Sequence, residues 1–207
     1  MTRLPRFARQ ARVATAATAV LAGAGMLALA GCDGGAIAAA NDPNNSGQSF
    51  VGASYSSKFF DPGSRALAPA VTGTMLTGKP FSLRAERGSV VVINFWGSWC
   101  APCRREAPVL GALATYFQDR QVRFIGDNVL DSPATAQAFE RTFNISYPSI
   151  NDPSEYVALA FHSTVPPSAI PSTLIIDRSG RIAARVVGAV SYNGLKSLID
   201  AVLAGKS

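Results

Sequence analysis

Two cysteines two residues apart, Cys100 and Cys103, carry the most specific chemistry in the chain. They follow a β-branched run, Val90-Val91-Val92-Ile93, which empties through Asn94-Phe95-Trp96-Gly97-Ser98-Trp99 into a helical pattern that begins at the cysteines. A buried strand passing directly into a helix puts both sulfurs at the turn between them. The first turn of a helix presents unpaired N–H groups and the positive end of the macrodipole, so a thiolate at Cys100 is favoured. Cys100 is therefore the expected nucleophile. Cys103, one turn further and on the same face, can attack a mixed disulfide formed at Cys100 and release the partner. The pair reads as a dithiol/disulfide switch that needs no cofactor beyond its own redox-active Cys100–Cys103 bridge. Pro102 suits the first helical turn, where its missing N–H is not needed.

Other uses of these residues fit less well. A zinc site needs about four ligands, and the chain offers three cysteines and one histidine, His162, with Cys32 in a different kind of segment. No metal is expected. A purely structural bridge closing so short a loop stabilises little and is easily reduced. His162 stands alone and is assigned no role.

The elements that must position the cysteines can be read from periodicity. Strands are expected over 89–96 and 122–125, joined through a helix over 106–118 that carries Val109, Leu110, Leu113, Tyr116 and Phe117 at helical spacing. Two strands linked this way form a right-handed βαβ unit. Ahead of it, 72–76 and 80–83 suggest a hairpin around Thr77-Gly78-Lys79. After it, helices over 135–143 and 154–161 form an insertion. The segments 172–177 and 181–187 make a second hairpin at Arg178-Ser179-Gly180, and a helix over 193–203 closes the chain with Leu195, Leu198, Ile199 and Val202 on one face. The class is α/β: a central mixed sheet flanked by helices, with an N-terminal β-hairpin and an insertion after the first βαβ unit.

The 207 residues are 48% hydrophobic and 15% charged, which fits one soluble domain with an extra segment at an end. The formal charge of +6 overstates the domain's own, because Arg3, Arg6, Arg9 and Arg12 lie in a leader. No basic patch with interleaved aromatics suggests nucleic acid. Residues 1–31 have the order of a secretory signal: arginines, an uncharged run of 18 residues from Val13 to Ala30, and small residues before Cys32. Leu29-Ala30-Gly31-Cys32 resembles a bacterial lipobox, which implies lipid attachment at Cys32. An uncleaved signal anchor is the other reading, since the apolar run is just long enough to span a bilayer. Either puts the domain on the outer face of the cytoplasmic membrane. Residues 32–60 read as a flexible tether rich in Gly, Ala, Asn and Ser, and 61–207 as the globular domain.

Phe95-Trp96-Gly97-Ser98-Trp99-Cys100-Ala101-Pro102-Cys103 resembles the thioredoxin active-site signature, and Ile170-Pro171-Ser172-Thr173-Leu174-Ile175-Ile176-Asp177 resembles that fold's proline strand. With the exported leader, the insertion and Cys103-Arg104-Arg105-Glu106, the chain is most similar to the membrane-tethered thioredoxin-like proteins of the TlpA/ResA/DsbE group. That resemblance implies a thioredoxin fold over roughly 65–205 and a cis peptide before Pro171, lying against the cysteines. The backbone groups of Ile170 would then be free to pair with an extended segment of a client. It also implies that Glu106 is the acidic residue behind the cysteines, with a raised pKa that suits proton exchange with the resolving thiol. Trp99 is expected to cover the pair and shape the docking surface, whereas Trp96 is as readily a core residue as a site residue. Asn94 stands where cytosolic thioredoxins carry an aspartate, which gives Glu106 more weight. Arg104 and Arg105 are expected to have at most a modest effect on Cys100, and Asp127-Asn128 is a weak signal near the active face.

The function the resemblance implies is an extracytoplasmic thiol:disulfide oxidoreductase, acting as a monomer. It would reduce disulfides of exported proteins, such as apocytochromes c during haem attachment, with electrons from a membrane thiol carrier. A disulfide-forming oxidase is the alternative within the class. A thiol peroxidase is a second class, but such enzymes carry threonine three residues before the reactive cysteine, where this chain has Gly97. A third is a binding scaffold that makes no use of the cysteines.

Overall fold

The structure, a computed structural model, describes residues 51–52, 55–166 and 168–205. The leader, Cys32 and the tether as far as residue 50 lie outside the described residues. In chain order the elements are β1 (Val51–Gly52), β2 (Tyr55–Phe59), β3 (Thr72–Thr74), β4 (Pro80–Ser82), β5 (Val90–Trp96), α1 (Ala101–Phe117), β6 (Val122–Val129), α2 (Pro133–Phe143), β7 (Ser149–Asp152), α3 (Tyr156–Ala160), β8 (Ser172–Ile176), β9 (Ile182–Gly188) and α4 (Tyr192–Leu203). The main sheet runs β1-β2-β9-β8-β5-β6-β7, and β3 and β4 form a separate hairpin. β5 is parallel to β6 and β6 to β7, while β8 pairs antiparallel with both β5 and β9.

All seven residues of β5 are buried, which is why its sequence is apolar at every position but Asn94 rather than alternating. On one face Val90 and Val92 pack with Leu110, Leu113 and Phe117 of α1 and with Leu195, Leu198 and Ile199 of α4. On the other, Val91, Ile93 and Phe95 pack with Phe81, Leu83, Val157 and Phe161. The mixed α/β sheet, both hairpins, the βαβ unit and the closing helix are all present.

Several boundaries differ from the sequence reading. α1 begins at Ala101, not at 106, and carries Pro108 in its second turn, where the absent N–H would have met the Arg104 carbonyl. β6 continues past Ile125 to Val129, since Gly126, Asp127 and Asn128 resemble a turn in composition yet are buried. β7 has no strand pattern in its sequence, since Ser149-Ile150-Asn151-Asp152 has one apolar residue; β6 supplies its register. The expected helix over 154–161 is only Tyr156–Ala160, initiated by Asp152, whose side chain accepts the N–H groups of Tyr156 and Val157 at 2.7 and 2.8 Å. The domain also starts earlier than residue 61: Tyr55–Phe59 pairs with Ala184–Gly188 of β9, so these residues belong to the sheet and not to a tether.

Candidate active site

Cys100 is the N-cap of α1, with extended backbone (φ −81°, ψ 108°), and its Sγ accepts the N–H of Cys103 at 3.2 Å. A sulfur therefore occupies the capping position usually held by a side-chain oxygen. Cys100 and Cys103 are joined in a disulfide, S–S 2.09 Å and Cα–Cα 5.3 Å, and both are buried. The turn leading into them is closed by the Cys100 N–H on the Gly97 carbonyl at 3.1 Å.

The two tryptophans have different surroundings. Trp96 is buried and packs on Phe139, ring centroids 4.4 Å apart, whereas Trp99 is 53% exposed beside the cysteines. Gly97 lies beneath the Trp99 indole. A Cβ there would come within 2.5 Å of Nε1 and 2.6 Å of Cε2, so threonine does not fit at this position with Trp99 seated as it is.

The proline strand meets the cysteines as the resemblance implied. The Ile170–Pro171 peptide is cis, and Ile170 packs against the cluster that contains Cys100, Cys103 and Trp96. The Pro171 carbonyl accepts the N–H of Gly188 at 2.8 Å. One expectation is corrected: the Ile170 N–H is not free, since it donates to the Ser168 carbonyl at 3.2 Å. The chain folds back on itself just before the proline and satisfies that donor internally.

Glu106 lies one turn beyond Cys103 on α1 and is 2% exposed, so it is neither a solvated nor a half-buried glutamate. Its Oε1 accepts a hydrogen bond from Asn94 Nδ2 at 2.8 Å, and Oε2 accepts the N–H of Val190 at 2.9 Å. Burial pushes its pKa up to about 7, against the opposing effect of these two bonds. A carboxyl poised near neutral pH beside a resolving cysteine can give or take a proton there. Asn94 also donates to Thr173 Oγ1 at 3.2 Å, which fixes its amide between β8 and the helix.

Two polar residues near the site were missed or undervalued. Asp131, which reads in sequence as a turn residue before Ser132-Pro133, accepts the Ser98 N–H and the Ser98 hydroxyl, each at 2.7 Å, and Asn128 Nδ2 at 2.8 Å. Asn128 was half of the weak Asp-Asn signal. Its neighbour Asp127 points to the opposite face of β6, is fully buried, and has neither carboxyl oxygen hydrogen-bonded among the described residues. Burial, then the charges of Asp152 and Glu155, raises its pKa well above the carboxylate range. Arg104 does not reach for the sulfur: its Nε donates to the Ser98 carbonyl at 2.9 Å. His162 is exposed, with its ring Nδ1 within 2.9 Å of the Leu159 carbonyl. Among the described residues no three of His, Cys, Asp or Glu are grouped as a metal site.

The AhpC/TSA family matches residues 65–185. The thiol-disulfide oxidoreductase ResA of Geobacillus thermodenitrificans is 29% identical over 135 residues, covering 65% of this chain and 75% of its own. A DsbF homologue from Corynebacterium diphtheriae superposes with a TM-score of 0.66 at 37% identity, over 70% of this chain and 92% of that one. A secreted thiol-disulfide isomerase from Corynebacterium glutamicum gives a TM-score of 0.66 at 33% identity, over 72% and 90%.

Proposed function

The chain belongs to the AhpC/TSA family and is a thioredoxin-like thiol-disulfide oxidoreductase, and from that premise we propose that Cys100 attacks and Cys103 resolves in exchange with disulfides of exported proteins. The observation that carries this reading is the capping of α1 by Cys100 Sγ, which accepts the Cys103 N–H. In the reduced protein that N–H and the helix N-terminus stabilise a thiolate at Cys100.

The exchange balances as follows. Cys100 thiolate attacks one sulfur of the client disulfide, and the other client sulfur leaves as a thiolate that takes a proton. Cys103, deprotonated with Glu106 as proton acceptor, attacks Cys100 Sγ and expels the second client sulfur. The client gains two electrons and the Cys100–Cys103 bridge re-forms. Trp99, Ile170 and Pro171 form the docking surface for an extended client segment, with the Ile170 N–H taken up by the Ser168 carbonyl.

We assign the direction as reduction, with apocytochromes c among the clients and a membrane thiol carrier as electron donor, and the location as the outer face of the cytoplasmic membrane through lipid at Cys32. The secreted C. glutamicum relative supports an extracytoplasmic setting. No helix among the described residues is long and apolar enough to cross a membrane.

The test is the equilibrium of the Cys100/Cys103 pair against glutathione. A potential near that of thioredoxin supports a reductase, and one near that of DsbA an oxidase. Absence of exchange with any dithiol overturns the assignment of the cysteines. The peroxidase alternative is opposed by Gly97, which stands where such enzymes carry threonine; hydrogen peroxide consumption no faster than a Cys100→Ser control removes it.

A further inference from the structure

Between the end of β6 and the first turn of α1 runs a chain of hydrogen bonds that no part of the exchange chemistry uses directly. Asn128 Nδ2 donates to Asp131 Oδ2, which also accepts the Ser98 N–H, while Asp131 Oδ1 accepts the Ser98 hydroxyl. On the other side of the same residue, the Ser98 carbonyl accepts Arg104 Nε. Ser98 is thus gripped at its N–H, its hydroxyl and its carbonyl, and it is 8% exposed. Trp99 alone stands between it and Cys100.

The grip is held at a backbone conformation that side chains avoid. Leu130, directly before Asp131, has φ +55° and is 53% exposed. A leucine in the left-handed region is unfavourable by roughly 1 kcal/mol or more, and such outliers persist where the surroundings over-determine them. Here the outlier turns the chain at the end of β6 and delivers the Asp131 carboxyl to the redox turn.

Resting on the reading of Cys100 as the attacking thiol, we infer that Asp131 is a positioning residue of the redox site. It acts through Ser98: with Arg104 it fixes the Gly97–Cys100 turn, so that Cys100 Sγ stays on the Cys103 N–H when the disulfide opens and its covalent restraint is lost. In the oxidised state the bridge itself keeps the two cysteines together. In the reduced state the clamp does, and the stabilisation of the thiolate depends on it. Negative charge at Asp131 works the other way, since a carboxylate near Cys100 disfavours the thiolate. The two contributions have opposite signs and can be separated.

The experiment compares wild type, Asp131→Ala, Asp131→Asn and Ser98→Ala in the reduced chain, following Cys100 ionisation by thiolate absorbance against pH and the potential against glutathione. Positioning predicts that Asp131→Ala decreases the thiolate-to-thiol ratio at fixed pH about tenfold and makes the potential more reducing, since the reduced form loses its stabilisation. Asp131→Asn, which keeps an oxygen for Ser98, is expected to recover part of the change. Ser98→Ala, which removes one of the three bonds to Asp131 without altering charge, is expected to shift the ratio about threefold in the same direction, and it carries the test if Asp131→Ala does not fold. A rise in Cys100 acidity in both Asp131 variants identifies a charge effect and overturns the proposal. So does a lower melting temperature with acidity and potential unchanged, which identifies a merely structural role. Failure of the underlying reading is distinct, because wild type itself would then show no exchange.

Discussion

Asn94 in the middle of β5 donates to the Glu106 carboxyl on α1 at 2.8 Å, so the strand position where a cytosolic thioredoxin carries its acid here supports an acid placed on the helix. The carboxyl sits on the element that bears the cysteines. Its pKa is raised by burial to about 7 and is restrained from rising further by Asn94 and the Val190 N–H.

Replacing Glu106 with glutamine keeps shape and burial but removes the proton acceptor. We expect the resolution step at pH 7 to slow by about 10- to 100-fold, and the rate dependence on pH near 7 to disappear. Single-turnover release of a client thiol from the mixed disulfide, measured from pH 5 to 9, checks both. Unchanged kinetics would remove Glu106 from the chemistry.

Glu106 also makes stability depend on pH. Its folded pKa is above the ordinary value of 4.5, so the folded state holds the proton more tightly than the unfolded one. The associated stabilisation is fully present below about pH 4.5 and is lost as pH rises through about 7, amounting to about 3 kcal/mol. Asp127 acts in the same direction. Denaturant melts of wild type and Glu106→Gln across this range should show a flatter profile for the variant.

Substituting Asp127 with leucine replaces a buried carboxyl that has no hydrogen-bond partner among the described residues by a group matching its neighbours Phe95 and Ile150 on that face. Relieving an unsatisfied buried polar group is expected to stabilise the fold by about 1–3 kcal/mol. A lower urea midpoint would show that Asp127 has a partner the structure does not reveal.

Gly126 permits the close approach of Trp96 and Ser149, because a Cβ there would lie 2.3 Å from Ser149 Oγ and 2.7 Å from Trp96 Nε1. Gly126→Ala is expected to destabilise the domain by about 1–3 kcal/mol through overpacking. Thermal denaturation is the check.

Cys103→Ala removes the resolving thiol. A mixed disulfide at Cys100 should then accumulate with client protein and survive until an external thiol is added, and non-reducing electrophoresis with mass spectrometry would identify the client. A Cys100→Ala control should trap nothing.

The parts of the fold legible in the sequence are those governed by local pattern. The β-branched run Val90–Ile93 favours a doubly buried strand, and the placement of Cys100 and Pro102 at a helix start followed from backbone chemistry. The parts that were not legible depend on non-local burial of polar residues. Gly126, Asp127 and Asn128 extend β6 because they pair with β5 on one side and β7 on the other and are buried there, and nothing in their own types announces it. Asp131 becomes part of the redox turn through contacts 33 residues apart in sequence, and Arg104, whose position suggested a through-space effect on the sulfur, spends its Nε on a carbonyl instead. The bond from the Ile170 N–H to the Ser168 carbonyl likewise has no sequence signature of its own.

The second bond to Glu106 ties remote parts of the chain into one equilibrium. Val190 lies between β9 and α4, so a carboxyl on the cysteine-bearing helix is anchored to the entry of the C-terminal one. Linkage is reciprocal: a change that weakens the Val190 bond alters the affinity of Glu106 for its proton, and protonation of Glu106 alters the strength of that bond. A change that unseats the entry of α4 is therefore expected to shift the protonation of Glu106.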